Sequence, residues 1–202
     1  MKKLVLTSLK LASCNNILDV GCAALLTLCP RLTALDLSSS SAGRLAMETL
    51  GEHCGELLRL NVSRTDGTSL RPLLRHAEPR LVESLRALHV IGSFSIVTST
   101  MRQLGRFHRL TELHVQVSSV DVLRCILAGH NDAKAATTGA AGANSPGCGR
   151  SLETLKLVAD NESDIGDSFL DVVAQHCPNL VSLEARHRNI SNKVRLALRY
   201  VK

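Results

Sequence analysis

Aliphatic residues recur along this chain at fixed offsets, with polar residues between them. Seven rows share the pattern, starting at Leu6, Leu32, Leu57, Leu85, Leu110, Leu152 and Leu180 and continuing three and five residues later as Leu9/Leu11, Leu35/Leu37, Leu60/Val62, Leu88/Val90, Leu113/Val115, Leu155/Leu157 and Leu183/Ala185. In Leu6-Thr7-Ser8-Leu9-Lys10-Leu11 the apolar fourth and sixth positions alternate with polar ones, the two-residue period of a strand with one apolar face. Between rows the period lengthens. Val20, Ala23, Ala24, Leu26 and Leu28 after the first row, and Ile165, Phe169, Val172 and Val173 after the sixth, carry the spacing of a helix. Strands that alternate with helices predict a parallel sheet. One such unit cannot bury its own apolar face, so a continuous core requires neighbours stacked on one another.

The row starts lie 26, 25, 28, 25, 42 and 28 residues apart, a repeat length in the range of strand-plus-helix solenoids. The junctions are equivalent. Cys29-Pro30-Arg31-Leu32 and Cys177-Pro178-Asn179-Leu180 place a proline just past the helix and two residues before the next row, and Cys54-Gly55-Glu56-Leu57 puts glycine at the same offset. The long interval contains about seventeen extra residues between His130 and Arg150, rich in Ala, Gly, Ser and Thr. That composition buries little apolar surface and predicts a mobile insertion over 130–150. Its glycines lack the lysine and the strand context of a phosphate loop.

The row Leu32-Thr33-Ala34-Leu35-Asp36-Leu37 is one of several features with a family likeness. With it go Cys14 closing the first row, Asp19-x-Gly21 opening a helix, and the recurring Cys-Pro-x-Leu junction. Together they resemble the cysteine-containing subclass of leucine-rich repeats, typical of F-box/leucine-rich-repeat proteins and of the related antagonist-of-mitotic-exit type. The resemblance runs from roughly Leu4 to Tyr200. It implies an α/β solenoid like that of ribonuclease inhibitor, a short right-handed arc with about seven parallel strands on the concave face and helices outside. It further implies substrate recognition in an SCF-type E3 ubiquitin ligase, in the cytoplasm or nucleus. Only Cys14 supplies the cysteine of the ninth row position, where Ser40, Thr65, Ser93, Ser118, Asp160 and Arg188 stand in the other rows. No F-box precedes the rows, so docking to cullin-type components would need one outside this sequence.

The start, Met1-Lys2-Lys3, and Leu11-Ala12-Ser13-Cys14 have the outline of a lipoprotein signal, but Thr7, Ser8 and Lys10 break the apolar middle that one requires. These residues read as the first strand. Residues 1–202 read as one leucine-rich-repeat domain, without a polar cap at either end, as in a fragment or in a subunit whose ends another chain covers. With 45% hydrophobic residues the chain can bury a substantial core, and no run reaches the roughly 18 apolar residues of a membrane helix. The seven cysteines are odd in number and lack a C-x-x-C pair, which fits small buried hydrophobes in a reducing compartment. His53-Cys54 and His176-Cys177 have no second close pair, so they read as junction residues and not metal ligands. The motifs of hydrolases, nucleotide-binding loops and metalloproteases are missing, so neither an enzymatic activity nor a cofactor is expected.

A net charge of +6, with Arg64, Arg71, Arg75, Arg80, Arg86, Arg102, Arg106 and Arg109 in the middle rows, suits an acidic protein partner. Aromatic residues are too few for a base-stacking platform, which argues against nucleic acid. Asp160, Glu162, Asp164, Asp167 and Asp171 form an acidic turn and helix start in the sixth unit. The binding surface should be the polar face of the strands. Its fifth row position runs Lys10, Asp36, Asn61, His89, His114, Lys156 and Glu184, with rungs about 4.8 Å apart. His89 and His114 fall on consecutive rungs, either as a pH-sensitive patch for an acidic group or as two solvated side chains. The candidate protein-binding residues are Arg59, Asn61, Arg64, His89, Glu112, His114, Lys156 and Glu184. Two readings of function remain open, a substrate-recognition module and a structural or assembly subunit of a larger, for example mitochondrial, complex.

Overall fold

A computed structural model of the chain describes residues 3–65, 70–92, 98–131, 144–145, 147–159 and 168–186. The chain divides into two compact units, 1–100 and 101–202. The first contains β1 (Ser8–Lys10), α1 (Asp19–Leu28), β2 (Ala34–Asp36), α2 (Arg44–His53), β3 (Arg59–Asn61), α3 (Leu70–His76), α4 (Pro79–Ser84) and β4 (Ala87–Val90). After α5 (Thr98–Arg102), the second contains a 3-10 turn (Gln103–Arg106), β5 (Glu112–Val117), α6 (Val120–Ala128), β6 (His130–Asn131), β7 (Asn144–Ser145), a 3-10 turn (Gly149–Ser151), β8 (Thr154–Ala159), α7 (Ser168–His176) and β9 (Ser182–Arg186). Each unit is α/β, and its main strands are parallel.

The row template sets the register. In the first unit Leu9 faces Leu35, Leu35 faces Leu60 and Leu60 faces Leu88. In the second, Leu113 faces Leu155 and Leu155 faces Leu183. A slip of one residue would turn every leucine to the opposite face, so the buried face enforces this alignment. Leu35, Leu37, Leu60, Val62, Leu88 and Val90 are buried in the first unit, as are Leu113, Val115, Leu155 and Leu157 in the second. The helices complete the cores: α1 packs on α2 and α2 on α3, while α6 packs on α7.

Several local features depart from the sequence reading. In α1 the buried face is Cys22, Ala23 and Leu26, and Val20 is 68% exposed. Phe169, Val172 and Val173 are buried in α7 as the spacing predicts, whereas Ile165 and the acidic turn before Ser168 lie outside the described residues. The 28-residue interval after the third row carries two helices, with Pro79 in the first turn of α4. There its fixed φ suits the helix and its missing N–H has no partner to lose. The insertion starts and ends in ordered structure: β6 and β7 pair antiparallel, His130 with Ser145 and Asn131 with Asn144. Mobility of its middle concerns 132–143, outside the described residues. At its far end Gly149 is wedged against other backbone, where an added Cβ would stand 2.6 Å from the His176 carbonyl oxygen and 2.9 Å from that of Leu127.

All seven cysteines are free thiols, and Cys22, Cys29, Cys54, Cys148 and Cys177 are buried. Cys29 and Cys54 directly follow α1 and α2, each amide donating to the last helical turn, which gives the junction residues a packing role. Burial pushes the thiols of Cys54, Cys148 and Cys177 up to about 12. Thiolate is the reactive form. At pH 8 the native protein should therefore react rapidly with a thiol-specific alkylating agent only at the half-buried Cys14 and Cys125, with the buried sites labelled after denaturation; peptide mapping would read this, and equal native labelling of Cys148 would contradict it. The raised values also carry a sign. The stability these neutral thiols contribute is complete below the ordinary thiol value and is lost as pH rises towards 12, because the unfolded chain gives up those protons first.

Among the described residues, no helix is long and apolar enough to cross a membrane.

Candidate functional site

The polar face of the first unit is built from short strands that end in a tight turn. Row position five forms the ladder Lys10, Asp36, Asn61, His89. Two of its members also shape the turn that follows. An Asp36 carboxylate oxygen accepts from the Ser38 amide at 2.9 Å and from its hydroxyl at 2.6 Å, and the Asn61 side-chain oxygen accepts from the Ser63 amide at 3.1 Å. Asp and Asn favour such turns because their side chains imitate a backbone acceptor.

Position eight of rows one to four is left-handed, with φ of 59° at Ser13, 52° at Ser39, 58° at Arg64 and 78° at Gly92. A side chain there costs roughly 1–2 kcal/mol. Bonds between rows hold the conformation: Ser13 N–H donates to Ser38 O at 2.8 Å, Ser39 to Ser63 at 2.9 Å and Arg64 to Ile91 at 2.8 Å. Arg64 is thus exposed at the tip of a strained turn. At position nine the buried Ser40 and Thr65 hydroxyls donate to Leu37 O at 2.6 Å and Val62 O at 2.7 Å. Each hydroxyl is a donor that closes its turn.

The second unit presents a different surface. β5 and β8 continue to row position eight without a turn. Val115-Gln116-Val117 sustains the alternation, and Val117 is buried, whereas Ser38-Ser39 and Ser63-Arg64 at the same positions favour a turn. The polar face here is a grid of Glu112, His114 and Gln116 beside Thr154, Lys156 and Val158, and then Ser182, Glu184 and Arg186.

Its side chains interact along and across strands. His114 Nε2 lies 3.1 Å from Glu112 Oε1, close enough for an ion pair when the imidazole is protonated. Lys156 Nζ donates to Glu184 Oε2 at 2.8 Å across the β8–β9 rung, and Arg186 Nε donates to Glu184 Oε1 at 2.7 Å. The Lys156 bond, aided by Arg186 and opposed by desolvation, holds the Glu184 carboxyl below the usual carboxylate range. This contribution is present above the ordinary carboxylate pKa and is lost as pH falls through the lowered value. Such exposed pairs are individually weak. Their consequence is a fixed pattern of charge.

The eight candidate residues therefore divide between the units. Arg59, Asn61, Arg64 and His89 belong to the first, with Arg59 exposed in β3 beside Ala34 and Ala87. Glu112, His114, Lys156 and Glu184 belong to the second, where the structure joins Glu112 to His114 and Lys156 to Glu184. His89 is the last rung of the first ladder and His114 the first of the second. Sequence reasoning missed Arg186, whose position-seven side chain shares the Glu184 carboxylate; continued alternation past position six was its signal.

Compared with known proteins, the chain matches no protein-family model and no curated protein.

Proposed function

We propose that this chain is a leucine-rich-repeat solenoid that binds a protein partner through the polar face of its strands. The observation that carries this reading is the in-register ladder at row position five: Lys10, Asp36, Asn61 and His89, then His114, Lys156 and Glu184. Within each strand the apolar core takes positions four and six, so position five faces away from it; Asp36 and Asn61 also build their own turns, and the other rungs can be matched to a partner. The second unit supplies the stronger candidate patch, since β5 and β8 hold His114 and Lys156 in strands that run on to position eight, beside Glu184 and Arg186 of β9. The resemblance to F-box/leucine-rich-repeat proteins extends the proposal to substrate recognition in an SCF-type ubiquitin ligase, with a protein as ligand and no chemistry performed by this chain.

The test is affinity purification of the tagged chain at moderate salt with mass spectrometry of what is retained, repeated with His114→Ala/Lys156→Ala. Residues that anchor a partner cost about 2 kcal/mol or more when truncated, so retention should fall more than ten-fold while the melting temperature stays close to wild type. Undiminished retention would exclude this face as the contact. Recovery of a cullin scaffold and its adaptor would support the ubiquitin-ligase reading. A stable stoichiometric complex without them would support an assembly subunit instead.

A further inference from the structure

Row three of the first unit, Leu57 to Thr65, is an interior row with β2 on one side and β4 on the other. What it offers to solvent is all of one kind. Arg59 is exposed in β3 between Ala34 and Ala87, whose methyl groups neither pair with a guanidinium nor cover it. Arg64 is exposed as well, and among the described residues neither guanidinium has a hydrogen bond or ion pair. The residues between them use their acceptors internally. Asn61 Oδ1 takes the Ser63 amide at 3.1 Å, which leaves the Asn61 NH2 group without an acceptor among the described residues. Ser63 Oγ takes the Ile91 amide at 3.2 Å and keeps its hydroxyl hydrogen to donate. These four side chains therefore meet a ligand as donors. The flanking rows differ: row two carries the Asp36 carboxylate, and row four has Ala87 and Ile91 at positions three and seven. Arg64 is also the one long side chain in a left-handed column that otherwise holds Ser13, Ser39 and Gly92. Its stem lies over Gly92, where an added Cβ would stand 3.0 Å from Arg64 Cγ. Residues held against such strain cluster at ligand-binding sites.

We propose that row three binds an extended acidic segment of a partner protein. Two carboxylates four residues apart sit on Arg59 and Arg64, and main-chain carbonyls between them accept from Asn61 Nδ2 and Ser63 Oγ. A guanidinium takes a carboxylate through two parallel N–H donors, a geometry that lysine cannot reproduce. The chain between the two arginines spans at most about 18 Å. In an extended ligand, residues i and i+4 point to the same side and lie about 13 Å apart, a distance the two flexible arms can bracket. Asp36, in register with Asn61, has Oδ1 bound to the Ser38 amide and hydroxyl. Its charge opposes a further acid over the middle of the row, so the segment is neutral at its centre and acidic at its ends. The same charge opposes a continuous phosphate backbone, which favours a peptide over a nucleic acid. This inference rests on the reading that the polar face binds a protein, and it adds the chemistry of what the first unit takes.

The experiment is fluorescence anisotropy on the whole chain with a labelled Gly/Ser peptide that carries two glutamates four residues apart. The wild type should bind it at least ten-fold more tightly than the same peptide with glutamine in both places, and added salt should narrow the difference. Arg59→Gln and Arg64→Gly should each abolish the preference. Arg64→Gly should do so without lowering the melting temperature, because glycine accepts the left-handed conformation freely; a merely structural arginine would lower it. No binding at about 1 mM peptide, equal affinity for the two peptides, a preference that survives either variant, or tighter binding of a single-stranded oligonucleotide would each overturn the proposal. Affinity purification separates this proposal from the reading beneath it. Retention of a partner that survives Arg59→Gln/Arg64→Gly but falls with His114→Ala/Lys156→Ala would overturn the row-three site and keep the polar face as the contact. Retention indifferent to both pairs would overturn both.

Discussion

Replacing Leu155 with alanine should lower the stability of the second unit by about 3 kcal/mol. Leu155 is fully buried in β8, with Leu113 of β5 and Leu183 of β9 as its register neighbours on either side. Removing its branched end sacrifices the transfer energy of the lost carbons and leaves a cavity, because hydrogen-bonded strands on both flanks keep the site from collapsing. Leu183→Ala is the informative comparison. That leucine occupies the same row position but is only half-buried, so its truncation should cost about half as much, in proportion to the area it removes from water. Urea denaturation with an unchanged m value would measure both. Equal costs for the two variants would show that coverage from both sides does not set the energetics of a row.

The second large effect should come from Asp19→Ala, a loss of about 2 kcal/mol. α2 starts without a side-chain cap of its own, and the acceptor comes from the preceding helix. Asp19 Oδ1 accepts from the amides of Gly43 at 2.8 Å and Ala46 at 2.9 Å, while Oδ2 accepts from Leu45 at 2.9 Å. One carboxylate thus satisfies three amides at a helix N-terminus, where its negative charge also complements the helix dipole. Asp19→Asn should recover only part of the loss, because the amide offers one acceptor oxygen and presents an NH2 group to whichever amides faced the other. Chemical denaturation of both variants checks the order Ala, then Asn, then wild type. A cost for Asp19→Ala no larger than that of Arg44→Ala, an exposed change on α2, would rule out the capping role.

Asp19 also shows where sequence reading stopped. Asp19-x-Gly21 was legible as a helix start, but its partner amides lie 24 to 27 residues downstream, and no local pattern encodes that distance. Asp36 and Asn61 read as free rungs because alternation alone cannot separate a side chain offered to a partner from one folded back on its own turn. Val20 shares the helical spacing of α1, but spacing gives a period without a phase, and packing of α1 against α2 buries Cys22, Ala23 and Leu26 instead. Glycines at the end of the insertion read as loop composition, whereas Gly149 is there because another backbone leaves no room for a Cβ.

By itself, the sequence determined the rows, their strands, the helix-ending junctions and the residue-for-residue register within each unit. Period-two alternation with one buried face admits a single alignment, and an error of one residue would expose every leucine. Tertiary structure alone decided the rest: the antiparallel pair that ties the insertion, the carboxylate shared by Lys156 and Arg186, and the helix capped from the preceding row. Each depends on atoms that only stacking brings within about 3 Å of one another.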